Sequence, residues 1–118
     1  MPSVSVSPDC LFCRIVTGDL PAEVVRESER TLAFRDIDPQ APVHVLIVTR
    51  DHHTDVATLA VDDPGALAEL VRETREVAQA EGAGDYRLVF NTGAHAGQSV
   101  FHVHGHVLGG RDMRWPPG

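Results

Sequence analysis

Three histidines stand at alternate positions in Ser99-Val100-Phe101-His102-Val103-His104-Gly105-His106-Val107-Leu108-Gly109-Gly110. Side chains of an extended strand alternate faces. His102, His104 and His106 therefore line one face, while Phe101, Val103 and Val107 take the other. A helix would scatter the same imidazoles around its cylinder. Imidazole titrates near neutral pH, so a row of three suits proton transfer, nucleophilic attack or metal ligation. Two other readings stand beside these. An antiparallel strand often has a wet face on which histidines do no chemistry. Three histidines plus water also make a catalytic zinc arrangement, although same-face neighbours lie roughly 6.5–7 Å apart and reach one ion only with strain.

A second group is Cys10 and Cys13, in Asp9-Cys10-Leu11-Phe12-Cys13-Arg14-Ile15-Val16-Thr17-Gly18. The pattern predicts a short helix, N-capped by Asp9 and ended by Gly18. Leu11, Phe12, Ile15 and Val16 form its apolar stripe. Cysteines at i and i+3 share an edge of such a helix. Two thiolates so placed supply half of a tetrahedral zinc site, with His52 and His102 as candidates for the other half. The pair also fits two small core residues. A redox pair is a third reading, although no strand leads into this CxxC.

The remaining elements must carry these groups. Residues 21–26 and 30–36 read as a hairpin turning at Glu27-Ser28-Glu29. A loop rich in breakers follows, and Val43-His44-Val45-Leu46-Ile47-Val48-Thr49 is the most continuously apolar stretch, hence a central strand. His44 is its one odd residue: either a satisfied core histidine or one that supports another histidine. A brief helical stretch falls near 56–59. A longer helix starts at Asp63, with Pro64 at its first position and a stop at Gly82 or Gly84. Its inner side carries Leu67, Leu70, Val71, Thr74, Val77 and Ala78, and its outer side Glu69, Arg72, Glu73, Arg75 and Glu76. Residues 86–92 form the next strand. The loop Gly93-Ala94-His95-Ala96-Gly97-Gln98-Ser99 feeds the histidine row. Its glycines let backbone amides approach an anion, so Gly97, Gln98 and Ser99 can offer donors to a phosphate over His104. An ordinary hairpin loop would have the same composition.

Composition narrows the partners. At 118 residues and 42% hydrophobic, the chain has the length and apolar content of one domain over 9–118. Residues 1–8 read as a flexible leader without signal-peptide character. The net charge of -7 and the lack of a basic tract disfavour nucleic acid. A small phosphate ligand remains compatible with that charge. No apolar run approaches the roughly 20 residues of a membrane span. Two cysteines make no disulfide framework, which points to a reduced, cytoplasmic setting. The single Trp115, close to the end, suggests docking, for instance on a partner subunit.

The segment His102-Val103-His104-Gly105-His106-Val107 resembles the signature of the histidine triad (HIT) family. Gly105 stands where an apolar side chain is expected. The likeness runs from about Cys10 to Gly118. Cys10-Leu11-Phe12-Cys13-Arg14-Ile15, the stretch from Ala33 to His44, Gly97-Gln98-Ser99 and the ending Trp115-Pro116-Pro117-Gly118 are similar to the Hint branch, the purine nucleoside phosphoramidases. The resemblance implies an α+β fold with a five-stranded antiparallel sheet and two main helices, the sheet continuing across a homodimer. It implies substrates in which a purine nucleoside 5′-phosphate is joined to an amine. His104 would be the nucleophile, giving a nucleotidyl-histidine and then AMP or GMP. His106 would contact the phosphate oxygens, and His102 and His44 would orient the nucleophile from behind. Ser99 would bond the phosphate or leaving group, with Gln98 and Gly97 beside it. Asp36 aligns with a ribose-binding carboxylate and Asn91 with a contact near the ribose and phosphate. Leu11, Phe12, Ile15, Phe34 and Ile37 resemble an apolar slot for the base. His52 matches a zinc-ligand position of CxxC-bearing relatives, which adds to a structural zinc on Cys10, Cys13, His52 and His102. A His102 so bound supports the site rather than transferring protons. No cofactor is implied for catalysis. The rival functions are a nucleotide-binding or scaffold protein with incidental hydrolysis, and a sibling nucleotidyl transferase or dinucleoside polyphosphate hydrolase.

Overall fold

The computed structural model describes residues 9–118. The leader expected over 1–8 lies outside them. The chain runs α1 (Leu11–Val16), β1 (Val24–Glu27), β2 (Thr31–Arg35), β3 (Val43–Thr49), α2 (Val56–Asp62), α3 (Pro64–Ala80), β4 (Tyr86–Val89) and β5 (His104–Gly109), with one 3-10 turn at Ala94–Ala96. The strands form one antiparallel sheet in the order β1-β2-β3-β5-β4.

The apolar run of β3 is explained by its central place. From His44 to Thr49 every residue is buried, because both faces of the strand are covered. On one face, Val45 and Ile47 join Leu59 of α2, Leu70 and Val77 of α3, and Val103 and Val107. Burying each such aliphatic side chain stabilises the fold by roughly 1.5–3 kcal/mol. On the other face, Leu46 and Val48 join Cys10, Phe12 and Cys13 around α1, with Leu32 and Phe34 of β2. The histidines share this second face.

The cap of α3 follows local chemistry. The Asp63 side chain accepts from the Ala66 N–H, and Pro64 occupies the first turn, where no N–H is needed. Beyond Ala80, Gly82 takes φ +85°, a left-handed conformation suited to glycine. At α1 the expectation of an Asp9 cap is corrected. Cys10 is the N-cap, and its sulfur accepts from the Cys13 N–H. The outer side expected for α3 is also corrected at Glu69. That carboxylate is 8% exposed and accepts from Ser28 Oγ, the Arg30 N–H and Arg30 Nε at 2.6, 2.7 and 3.1 Å. Burial alone would raise its pKa, but these donors hold it below the ordinary glutamate value. Glu69 thus clasps the turn of the β1–β2 hairpin to α3.

Candidate functional site

β5 begins at His104, later than the histidine pattern predicts. His104 lies opposite Val48, and His106 opposite Leu46. His102 precedes the strand. The peptide N–H that follows it, at Val103, leaves the sheet and donates to the His53 carbonyl at 2.7 Å. Only His104 and His106 therefore form a row on a strand. The expectation of three in one strand is corrected by this long-range bond, which is invisible in local spacing.

Hydrogen bonds fix the state of each ring. A carbonyl can only accept, so the 2.8 Å contact between His104 Nδ1 and the His102 oxygen places the hydrogen on Nδ1. Nε2 of a neutral His104 then carries the lone pair. The Gln40 N–H donates to His44 Nδ1 at 3.0 Å, so the other nitrogen of a neutral His44 holds its hydrogen. That nitrogen lies 2.9 Å from His106 Nδ1. His106 in turn keeps its hydrogen on Nε2. One strand thus presents a lone pair at His104 and a donor at His106. Their ring centres are 5.0 Å apart. Burial lowers the pKa of His104 and of His44, against the raising influence of Asp36. Burial, and then the neighbouring His104 and His44, push His106 down to about 4. Neutral rings are the working form.

A cavity of about 360 Å3 opens over these two histidines. Leu11, Phe12, Ile15, Phe34 and Ile37 from the expected base slot line it, together with Asp36, Leu46 and Ser99. Phe12 stands edge-on to His104 with centroids 4.9 Å apart. Ile37 is fully exposed at the mouth. Asp36 Oδ2 lies 3.4 Å from His44 Nε2, and Oδ1 accepts from the Asp38 N–H at 2.8 Å. Apolar walls, the acidic residues Asp36 and Glu23, Arg35 and two imidazoles line the cavity, the composition of a small-molecule site. A larger depression of about 560 Å3, between Gly82–Arg87 and Gly110–Met113, contains none of the histidines.

The structure departs from other expected roles. Gln98 is not a phosphate donor. It is 3% exposed, and its amide is consumed internally by the Gly93 N–H and by the Thr54 and Val100 carbonyls. It braces the loop that brings Ser99 to the cavity. Asn91 and Gly97 lie against each other, with Asn91 Nδ2 3.6 Å from where a Gly97 Cβ would stand, and neither lines the cavity. His44 does not back His104; its ring contact in the row is His106. The side chain of His102 does not bond to His104 either. Its backbone carbonyl does. Gln40, which orients His44 through its backbone N–H, carries no side-chain signal that sequence could reveal.

The imidazole of His102 belongs to a second group. Its Nδ1 lies 3.3 Å from Cys10 Sγ and 3.4 Å from Cys13 Sγ, and His52 Nδ1 lies 3.4 Å from Cys13 Sγ. All four ligand atoms fall within 4.8 Å of one another. With zinc bonds of about 2.3 Å to sulfur and about 2.0–2.1 Å to nitrogen, the sulfur–nitrogen edge of a tetrahedron is roughly 3.5 Å. The observed separations match it. His102 Nε2 donates to the Thr49 carbonyl at 2.7 Å, which turns the Nδ1 lone pair toward the sulfurs. The Cys13 N–H donates to Cys10 Sγ at 3.3 Å. A buried two-cysteine, two-histidine set of this geometry fits zinc.

Antiparallel topology, a paired-histidine strand and a cavity over it define an α+β domain. The HIT domain model matches residues 17–113. A HIT-like protein of Synechocystis sp. is 43% identical over 96% of this chain and 100% of its own length. Among solved structures, a HIT family hydrolase from Legionella pneumophila superposes with a TM-score of 0.88 at 49% identity, covering 93% of this chain and 100% of that one. A HIT family hydrolase from Clostridium thermocellum gives 0.88 at 40% identity, covering 92% and 96%. The chain belongs to the HIT family.

Proposed function

We propose that the chain is a nucleotide hydrolase of the phosphoramidase type. It would cleave the P–N bond of a purine nucleoside 5′-phosphate joined to an amine. The observation that carries this reading is the bond from His104 Nδ1 to the His102 carbonyl, which leaves a neutral Nε2 lone pair at the cavity. In the first step, Nε2 of His104 bonds to the α-phosphorus as the P–N bond to the amine breaks, and the amine leaves with a proton taken from solvent. In the second, water attacks the same phosphorus and gives up a proton to solvent, the Nε2–P bond breaks, and AMP or GMP departs. The His106 Nε2–H donates to the phosphoryl oxygens, where charge grows in each transition state. Ser99, exposed beside them, suits the phosphate or leaving group. Asp36 accepts from ribose hydroxyls, and the Phe12, Ile15 and Phe34 wall takes the purine. The Legionella and Clostridium neighbours are HIT family hydrolases, which agrees with the reaction class. The similarity of the Trp115-Pro116-Pro117-Gly118 ending to the Hint branch supports this bond over a dinucleotide.

The Cys10, Cys13, His52 and His102 set is read as a structural zinc site. The protein is read as a homodimer whose sheet continues across β4. Of the two sheet edges, β1 is bulged between Val24 and Arg26, which discourages edge pairing. The tail bearing exposed Trp115 is tied to β4, where Arg87 donates to the Arg114 carbonyl at 2.9 Å.

The test is steady-state hydrolysis of an adenosine phosphoramidate beside a diadenosine polyphosphate. Turnover of the phosphoramidate, lost by a factor on the order of 10³ or more in His104→Ala with AMP still bound, is the expected result. Faster cleavage of the dinucleotide would move the protein to the sibling activity. AMP binding without turnover of either compound would make it a binding protein.

A further inference from the structure

One peptide group stands between the two histidine regions. It joins His102 to Val103. Its carbonyl takes the His104 Nδ1–H at 2.8 Å, and its N–H goes to the His53 carbonyl at 2.7 Å. The residues on either side of it lead to one shared sulfur, that of Cys13. His102 does so through its own Nδ1, and His53 through its neighbour His52. His102 is fully buried, and its other nitrogen is fixed on Thr49. The ring of His102 and the carbonyl that orients His104 are therefore parts of one residue, separated by a few covalent bonds. A shift of the ring tilts the carbonyl, and His104 loses the acceptor that sets its tautomer.

We propose that the Cys10–Cys13–His52–His102 cluster is a positioning device for His104, acting through the 102–103 peptide group. Metal loading then sets the rate of bond breaking and leaves nucleotide affinity nearly unchanged. The proposal rests on the readings of His104 as nucleophile and of the cluster as a metal site. His52 and the cysteines do not line the cavity, so they are positioning residues. A misplacement on the order of 1 Å at a reacting group costs about 10²-fold in rate.

The experiment compares the zinc-loaded full chain, chelator-treated protein, His52→Ala and His52→Cys. Metal content, kcat on an adenosine phosphoramidate and AMP affinity by calorimetry are measured on each. The His104 imidazole nitrogen signals are followed by NMR with AMP bound. Stoichiometric zinc in the wild type is expected. Metal loss should lower kcat roughly 10- to 100-fold, keep AMP affinity within about threefold and broaden or lose the His104 Nδ1–H signal. His52→Cys, which rebuilds a four-ligand zinc set, should restore both. If the metal-free forms unfold, cadmium replaces zinc in the folded wild type. The larger ion spreads the cluster, and kcat should fall with AMP affinity retained. Unchanged kcat in the metal-depleted or cadmium protein overturns the coupling and leaves the phosphoramidase reading intact. A parallel loss of AMP affinity also overturns it. No zinc in the wild type overturns the metal reading and the coupling together. No turnover by the zinc-loaded wild type overturns the nucleophile reading and, with it, the coupling.

Discussion

His102 and His106 are four residues apart and of one type, and burial pushes both down to about 4. They nevertheless present opposite groups. His102 gives its Nε2–H to the Thr49 carbonyl and turns a lone pair on two sulfurs. His106 meets the hydrogen of His44 with Nδ1 and turns an N–H toward the cavity. Partner atoms, not residue type, allot the roles of acceptor and donor. A backbone carbonyl does so at His102, and a third imidazole does so at His106. The histidine signature alone cannot distinguish these.

The separation of the two regions can be broken on purpose. The largest effect is expected from His106→Ala, which removes the cavity donor. Its kcat should fall about 10²-fold while zinc content stays at the wild-type value. Loss of zinc in that variant would mean the regions are one. Acid offers a smaller, shared perturbation. The folded protein keeps both rings unprotonated down to about 4, whereas an unfolded histidine takes its proton near 6.5. The unfolded chain thus binds more protons between these values, and stability falls as pH drops through that window. The urea midpoint should be lower at pH 5 than at pH 7, with a smaller difference in His106→Gln. Equal midpoints for the wild type would show that burial does not hold the rings neutral. The smallest effect is expected at His95, which is exposed and belongs to neither group. Turnover and zinc content of His95→Ala should stay within about a factor of two of the wild type. A larger change would tie its loop to one of the regions.

What sequence could reveal follows from the range of the forces involved. β3 was legible over its full length because burial on both faces leaves a continuous apolar run. The start of α3 was legible because Asp63 and Pro64 act within one turn. The base-slot residues were legible only through family resemblance, and the cavity does gather them. Apart from the Cys10 cap of α1, the misses below involve partners distant in the chain. His53 pulls the Val103 N–H out of the sheet. Gln98 spends its amide on Thr54. Glu69, on a helix side that looked solvated, finds Ser28 and Arg30 some forty residues away. Pattern reasoning sees the period of a side chain but not the partner that satisfies it.

Gly105 interrupts the alternation of apolar residues between the histidines. Its missing side chain is compensated across the strand pair. A Cβ there would lie 2.8 Å from Leu88 Cδ1 and 3.2 Å from Phe90 Cζ. Positions 88, 90 and 105 therefore divide one volume. A side chain added at 105 would make the end of Leu88 shift and the Phe90 ring give by a few tenths of an ångström. The centre of the histidine motif is thus packed by side chains that lie outside the motif.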